Sequence, residues 1–123
     1  MIFGIGTDVT DVKRFKKWVE NEGYCERFFN PKEIKKNGSV QHLCEHYSVR
    51  FAAKEAFSKA LGTGLSFDLK DVYITNDNNG KPVLNVEGKA KELLVQKAGN
   101  CNLFVSLSHE KEVSVAFVII ESI

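Results

Sequence analysis

A single α+β domain is what this sequence predicts, and three observations predict it. The chain opens on Met1-Ile2-Phe3-Gly4-Ile5-Gly6-Thr7-Asp8-Val9, where apolar residues alternate with small ones in the manner of a strand. A long helical pattern follows in the middle, from about His42 to Leu61. The second half then turns to short β-rich runs separated by turn residues. At 123 residues the chain has the usual size of one domain and is long enough for a core without disulfide or metal staples.

Each element has its own signal. Gly4 and Gly6 lack side chains in the first strand, so something bulky can approach that backbone closely. Asp8 is expected where this strand gives way to the next element. Residues 11–21 read as a helix, with Val12, Phe15, Val19 and Trp18 on one face, Lys13, Arg14, Lys16 and Lys17 on the rest, and Asn21-Glu22-Gly23 as its end. Asn30 can cap, and Pro31 can open, a short helix over 31–36. In the central helix Tyr47, Phe51, Phe57 and Leu61 form a stripe, Ala52, Ala53, Ala56 and Ala60 allow close packing, and Gly62-Thr63-Gly64 stops it. Val72–Thr75 and Val83–Val86 read as a hairpin about the turn 76–81. Residues 88–98 read as a helix, and 103–108 with 113–120 as a second antiparallel hairpin. No linker or internal repeat divides the chain.

Composition narrows the function. The formal net charge of +1 speaks against non-specific nucleic-acid binding, so an acidic partner must meet a local basic patch. No apolar run reaches the roughly 18–20 residues of a membrane span. The three cysteines, Cys25, Cys44 and Cys101, show no paired spacing, and the N-terminus has no leader pattern; both point to a reduced, cytoplasmic protein.

The segment richest in chemistry is Arg50-Phe51-Ala52-Ala53-Lys54-Glu55-Ala56-Phe57-Ser58-Lys59. Glu55 and Lys59 are four apart and share a helix face, which an ordinary surface ion pair would also explain. Asp8 could be a helix cap or its neighbour, although Thr10 or Asp11 could do that work instead. Two carboxylates brought from separate elements would suit Mg2+, which takes one or two of them and completes its shell with phosphate and water. His109 stands at a strand end, where a structural role is the commoner one. His42 and His46 share a face, but no further ligand set accompanies them. The run Lys13–Lys17 is either a solvated face or a patch for an acidic helix. Gly62-Thr63-Gly64 could offer backbone N–H groups to phosphate, yet lacks the rest of a P-loop.

Taken together, the chain resembles the holo-acyl-carrier-protein synthase family of 4'-phosphopantetheinyl transferases. The likeness covers nearly the whole chain. It is carried by Ile5-Gly6-Thr7-Asp8-Val9 with Arg14, by Phe51–Ala60 with Gly62-Thr63-Gly64, by Asn79-Gly80-Lys81-Pro82 and by Ser106-Leu107-Ser108-His109. The Lys-Glu-Ala segment, its Lys four residues on, and their distance from Gly-Thr-Asp are the specific part.

The resemblance implies that family's fold, a long central helix packed on an antiparallel sheet. It also implies transfer of phosphopantetheine from coenzyme A to a serine of acyl carrier protein, in support of fatty acid biosynthesis. Asp8 and Glu55 would hold Mg2+. Lys59 would reach the coenzyme A phosphates and help take the serine proton, with Glu33 or a water as the other candidate bases. Arg50, Lys54, Gly62, Thr63, Gly64 and His109 would hold the coenzyme A nucleotide. Lys13, Arg14, Lys17 and Arg27, with Lys16, would meet the acidic carrier protein. Family members are homotrimers with active sites between subunits. The rival reading is an inactive relative that only binds carrier protein or nucleotide.

Overall fold

The computed structural model describes residues 1–123. Strand β1 (Ile2–Asp11) leads through a 3-10 turn at Val12–Phe15 into a short helix α1 (Lys16–Glu20). The long helix α2 (Val40–Leu61) follows, then the hairpin β2 (Val72–Asn76) and β3 (Pro82–Val86), helix α3 (Gly88–Ala98), and the hairpin β4 (Cys101–His109) and β5 (Val113–Ser122). β1, β5 and β4 form an antiparallel sheet in that order, and β2 and β3 form a separate ribbon. The sheet's inner face packs on α2, as the sequence led us to expect.

Two elements differ from expectation. The helix over 11–21 is a 3-10 turn and one short α-helical stretch, because Asp11 still pairs with Val113 of β5 and holds the chain extended until Val12. Asp8 therefore lies inside a strand, opposite Ala116, and not at its end. The helix over 31–36 is reduced to a 3-10 turn at Pro31–Glu33. The Tyr47 hydroxyl accepts from Lys35 N at 2.9 Å and donates to Lys35 O at 3.0 Å, which engages both backbone groups of Lys35 outside any helix. Asn30 does cap this turn, reciprocally with Glu33.

α2 is capped by Ser39, whose hydroxyl accepts from His42 N, and ends at Gly62 with φ +84°, a left-handed conformation suited to glycine. The helix is buried on almost every side because two cores meet it. One core joins Ala52, Ala53, Ala56, Phe57, Ala60 and Leu61 to Val72, Ile74, Leu84, Leu94, Val118 and Ile120. The other is aromatic, with Phe15, Phe29, Tyr47 and Phe51 fully or nearly buried and Trp18 and Phe28 packed against them.

The contact that positions the site is between β1 and α2. A Cβ built on Gly4 would lie 1.9 Å from the Ala60 carbonyl oxygen, and one on Gly6 would lie 1.9 Å from that of Ala56. Two strand residues advance about 6.8 Å, and four helix residues advance about 6 Å. The glycines thus meet successive turns of α2, and the next residue on the same face of β1 is Asp8. None of the helices is long and apolar enough to cross a membrane.

Candidate active site

The β1–α2 packing brings Asp8 to the turn of α2 that carries Glu55 and Lys59. Lys59 Nζ donates to Asp8 Oδ1 at 3.2 Å and to Thr7 O at 3.0 Å, and Thr10 Oγ1 donates to Asp8 Oδ2 at 2.7 Å. The Lys59 side chain is 54% exposed and that of Asp8 15%. Glu55 is half-buried and takes part in none of the chain's three ion pairs. Burial, and secondly the charge of Asp8, push its carboxyl above the usual range; Lys59 and Arg14 oppose them. Lys59 therefore pairs across elements with Asp8, and the simple i, i+4 pair with Glu55 is not formed. Two carboxylates, one mobile ammonium and one nearby guanidinium share this place.

Asp8 and Glu55 fit a hard divalent cation. All donors are carboxylate oxygens, and they stand without a third His, Cys, Asp or Glu. That leaves most of an octahedral shell for phosphate and water, as Mg2+ prefers. His42 and His46 form no such group either. His46 Nε2 lies 2.6 Å from Glu33 O, and a carbonyl only accepts, so the ring carries its proton on Nε2.

Lys54 requires a correction. It is completely buried, and its Nζ bonds Glu33 Oε1 at 2.7 Å, Leu69 O at 2.9 Å and Val72 O. All three ammonium protons are spent inside the fold, so Lys54 has none to offer a nucleotide. Burial pulls its pKa down and Glu33 pushes back. Glu33 is equally closed off: it is 1% exposed, Oε1 accepts from Asn30 N and Lys54, and Oε2 accepts from Ile74 N. It cannot be the base that deprotonates a serine arriving from solvent. The pair instead ties the Pro31–Glu33 turn, α2 and β2 together.

At the helix end, Gly62 N and Thr63 N both donate to Ser58 O, at 2.9 and 3.3 Å. These two amides are spent on closing α2 and are not available to phosphate. The Thr63 hydroxyl donates to Gly64 O at 3.0 Å.

Arg50 and His109 meet elsewhere. A cleft of about 340 Å³ is lined by Lys35, His42, Glu45, His46, Arg50 and His109 among others. Arg50 Nη1 donates to His46 O at 3.1 Å, while its Nε is buried without a partner. His109 Nδ1 stands 3.7 Å from Glu45 Oε1. The basic residues Lys13, Arg14, Lys17 and Arg27 are exposed, with the Arg14 guanidinium 5.1 Å above the Phe51 ring and Arg27 5.8 Å above Tyr24.

The family model described as the 4'-phosphopantetheinyl transferase superfamily matches residues 4–117. The chain belongs to this superfamily. It is 45% identical, over 98% of its length and 99% of the relative's, to the holo-[acyl-carrier-protein] synthase of Treponema denticola. It is 44% identical to that of a Geobacter species over 98% and 99% of the two chains. Among solved structures, it is similar to a holo-(acyl-carrier-protein) synthase from Bacillus anthracis in complex with CoA (3',5'-ADP). There the TM-score is 0.81 and the identity 35%, covering 100% of this chain and 99% of that one. The Neisseria meningitidis synthase aligns with TM-score 0.84 and 32% identity, over 99% and 100% of the chains.

Within this phosphopantetheinyl transferase the sequence reading missed one contact at the site, the Thr10 hydroxyl on Asp8. Its signal was present: Thr10 follows Asp8 by two, which in a strand puts both side chains on one face. Treating 11–21 as a helix that Thr10 might cap hid it.

Proposed function

We propose that this chain transfers the 4'-phosphopantetheine group of coenzyme A to a serine of apo acyl carrier protein, releasing 3',5'-adenosine bisphosphate. The observation that carries the reading is the meeting of Asp8 and Glu55 beside Lys59, in a chain whose relatives are holo-[acyl-carrier-protein] synthases.

The serine hydroxyl attacks the β-phosphorus of coenzyme A, and the bond to the bridging oxygen breaks. Such transfers depend on positioning and charge neutralisation more than on covalent chemistry by the protein. Asp8 and Glu55 would hold Mg2+, which supplies charge stabilisation at phosphate oxygens when bound. Lys59 holds Asp8 in place and, being exposed and flexible, can exchange that partner for a phosphate oxygen. With Glu33 sealed inside the fold and Lys59 present as an ammonium, which only donates, water beside Lys59 takes the serine proton. Gly62, Thr63 and Gly64 border this end, where Gly62 and Gly64 present no side chain to a ligand.

Arg50 and His109 are assigned to the nucleotide. They do not face Glu55: five helix residues turn through about 500°, leaving Arg50 about 140° away around α2. The two groups lie on different sides of α2, and a homotrimer with interfacial sites, in which a neighbouring protomer supplies one of them, is the assembly this division fits. The outer face of the β1–β5–β4 sheet suits that assembly. Ile5, Val9, Phe104 and Phe117 stand exposed on it, and Ile5, Ile119 and Phe104 share one row. The free state of all three cysteines fits a cytoplasmic enzyme serving fatty acid biosynthesis.

The test is direct. Wild-type protein, coenzyme A, Mg2+ and apo carrier protein are incubated, and the carrier is weighed. A gain of one phosphopantetheine is expected, and no gain favours an inactive relative that only binds. Asp8→Ala and Glu55→Ala are each expected to abolish the gain while keeping the wild-type circular dichroism. Near-normal turnover by either folded variant would remove the metal assignment.

A further inference from the structure

We propose that Thr10 is a positioning residue for the metal site, its buried hydroxyl setting the direction in which Asp8 presents its carboxylate. The inference rests on the reading of Asp8 as a metal ligand. Each oxygen of that carboxylate has one donor: Lys59 Nζ on Oδ1 at 3.2 Å and Thr10 Oγ1 on Oδ2 at 2.7 Å. The two donors differ in what they can do. Lys59 is exposed, on a flexible stem, and is free to turn to a phosphate. Thr10 is 3% exposed and β-branched, so it stays where the strand puts it.

The surroundings of Thr10 explain why a hydroxyl is held there. Its register partner is Ser114 of β5, fully buried. The Ser48 hydroxyl of α2 also lies 3.2 Å from Glu45 O, and Ser114 and Ser48 share a hydrogen bond of 2.6 Å. That bond clamps β5 to α2, and the Thr10 hydroxyl donates to Asp8. A buried hydroxyl ordinarily has an identifiable partner, and here that partner is the carboxylate.

An ionised carboxylate has about four lone-pair directions. One on Oδ2 is taken by Thr10, which limits how the carboxylate can turn about its own axis. Partners of this kind, which touch a ligand and not the metal, typically change metal affinity about 10- to 100-fold when removed.

The experiment titrates Mn2+ into the protein with 3',5'-adenosine bisphosphate present, reading free Mn2+ by electron paramagnetic resonance. Thr10→Val keeps the shape and the β preference and removes the donor; Thr10→Ser keeps the donor. Thr10→Val is expected to weaken Mn2+ binding about 10- to 100-fold, with an unchanged melting temperature, and Thr10→Ser to restore it. Should Thr10→Val melt below the assay temperature, Thr10→Ala takes its place under the same outcomes. Wild-type Mn2+ affinity in the hydroxyl-free variant, with binding lost in Asp8→Asn, overturns the role of Thr10 and leaves Asp8 as a ligand. Unaltered binding in Asp8→Asn overturns both.

Discussion

Gly6 of β1 and Ala56 of α2 meet backbone to backbone, with 1.9 Å between the Ala56 carbonyl oxygen and the place where a Cβ on Gly6 would sit. The constraint is one of space, since neither Gly4 nor Gly6 has a positive φ. Gly6→Ala must therefore push the strand off the helix, and the atom in the way is main chain. We expect a loss of about 3 kcal/mol, the upper end for overpacking, read as a fall in Tm. Activity should fall further than stability, because Asp8 is two residues along the displaced strand. Gly6→Ala with wild-type Tm and turnover would contradict this packing.

The buried pair Lys54–Glu33 makes a second prediction. Lys54→Met strands the Glu33 charge and two carbonyls, Leu69 O and Val72 O, inside the protein. Removing one partner of a buried ion pair costs about 3–5 kcal/mol. Denaturant unfolding of Lys54→Met, Glu33→Gln and the double variant should show the double costing less than the sum of the singles. At a temperature where Lys54→Met is folded, its KM for coenzyme A should equal the wild type's. A raised KM with unchanged stability would return Lys54 to the ligand site.

His46 makes stability depend on pH. Burial, and secondly Arg50, lower its pKa to about 4, although the bond to Glu33 O opposes them. In the unfolded chain the ring titrates near 6.5. Between these values the unfolded state binds the proton and the folded state does not, so stability falls as pH drops through that window. The urea midpoint should decline from pH 7 toward pH 4.5, and His46→Gln should flatten the decline. Equal slopes in the two proteins would show that His46 is not the group responsible.

Carrier-protein docking is best tested away from the metal site. Arg14 is close enough to affect Glu55, so reversing its charge would disturb two functions together. Lys13 and Lys17 are exposed. The double reversal Lys13→Glu/Lys17→Glu should raise KM for the carrier protein with little change in kcat, and added salt should narrow the difference. An unchanged KM would place the carrier protein on another face.

Much of this protein was legible in its sequence. Gly4 and Gly6 announced a close approach, and the alanine stripe with Tyr47, Phe51, Phe57 and Leu61 announced the long buried helix. Those signals are written in short stretches of chain, because a periodicity or a missing Cβ is readable there whatever element packs against it. The pairing of Asp8 with Glu55 came from resemblance, since their spacing could not join them. Tertiary structure alone decided the fate of the charged groups. Lys54 and Glu55 are adjacent, yet one points into the fold to meet Glu33 and the other remains beside Asp8. Which of them is sealed in depends on what packs on each side of α2, and those partners are 21 residues away in one case and 47 in the other. Thr10 is the same lesson on a smaller scale. Its hydroxyl acquires a purpose only because β5 keeps Thr10 in a strand, on the same face as Asp8.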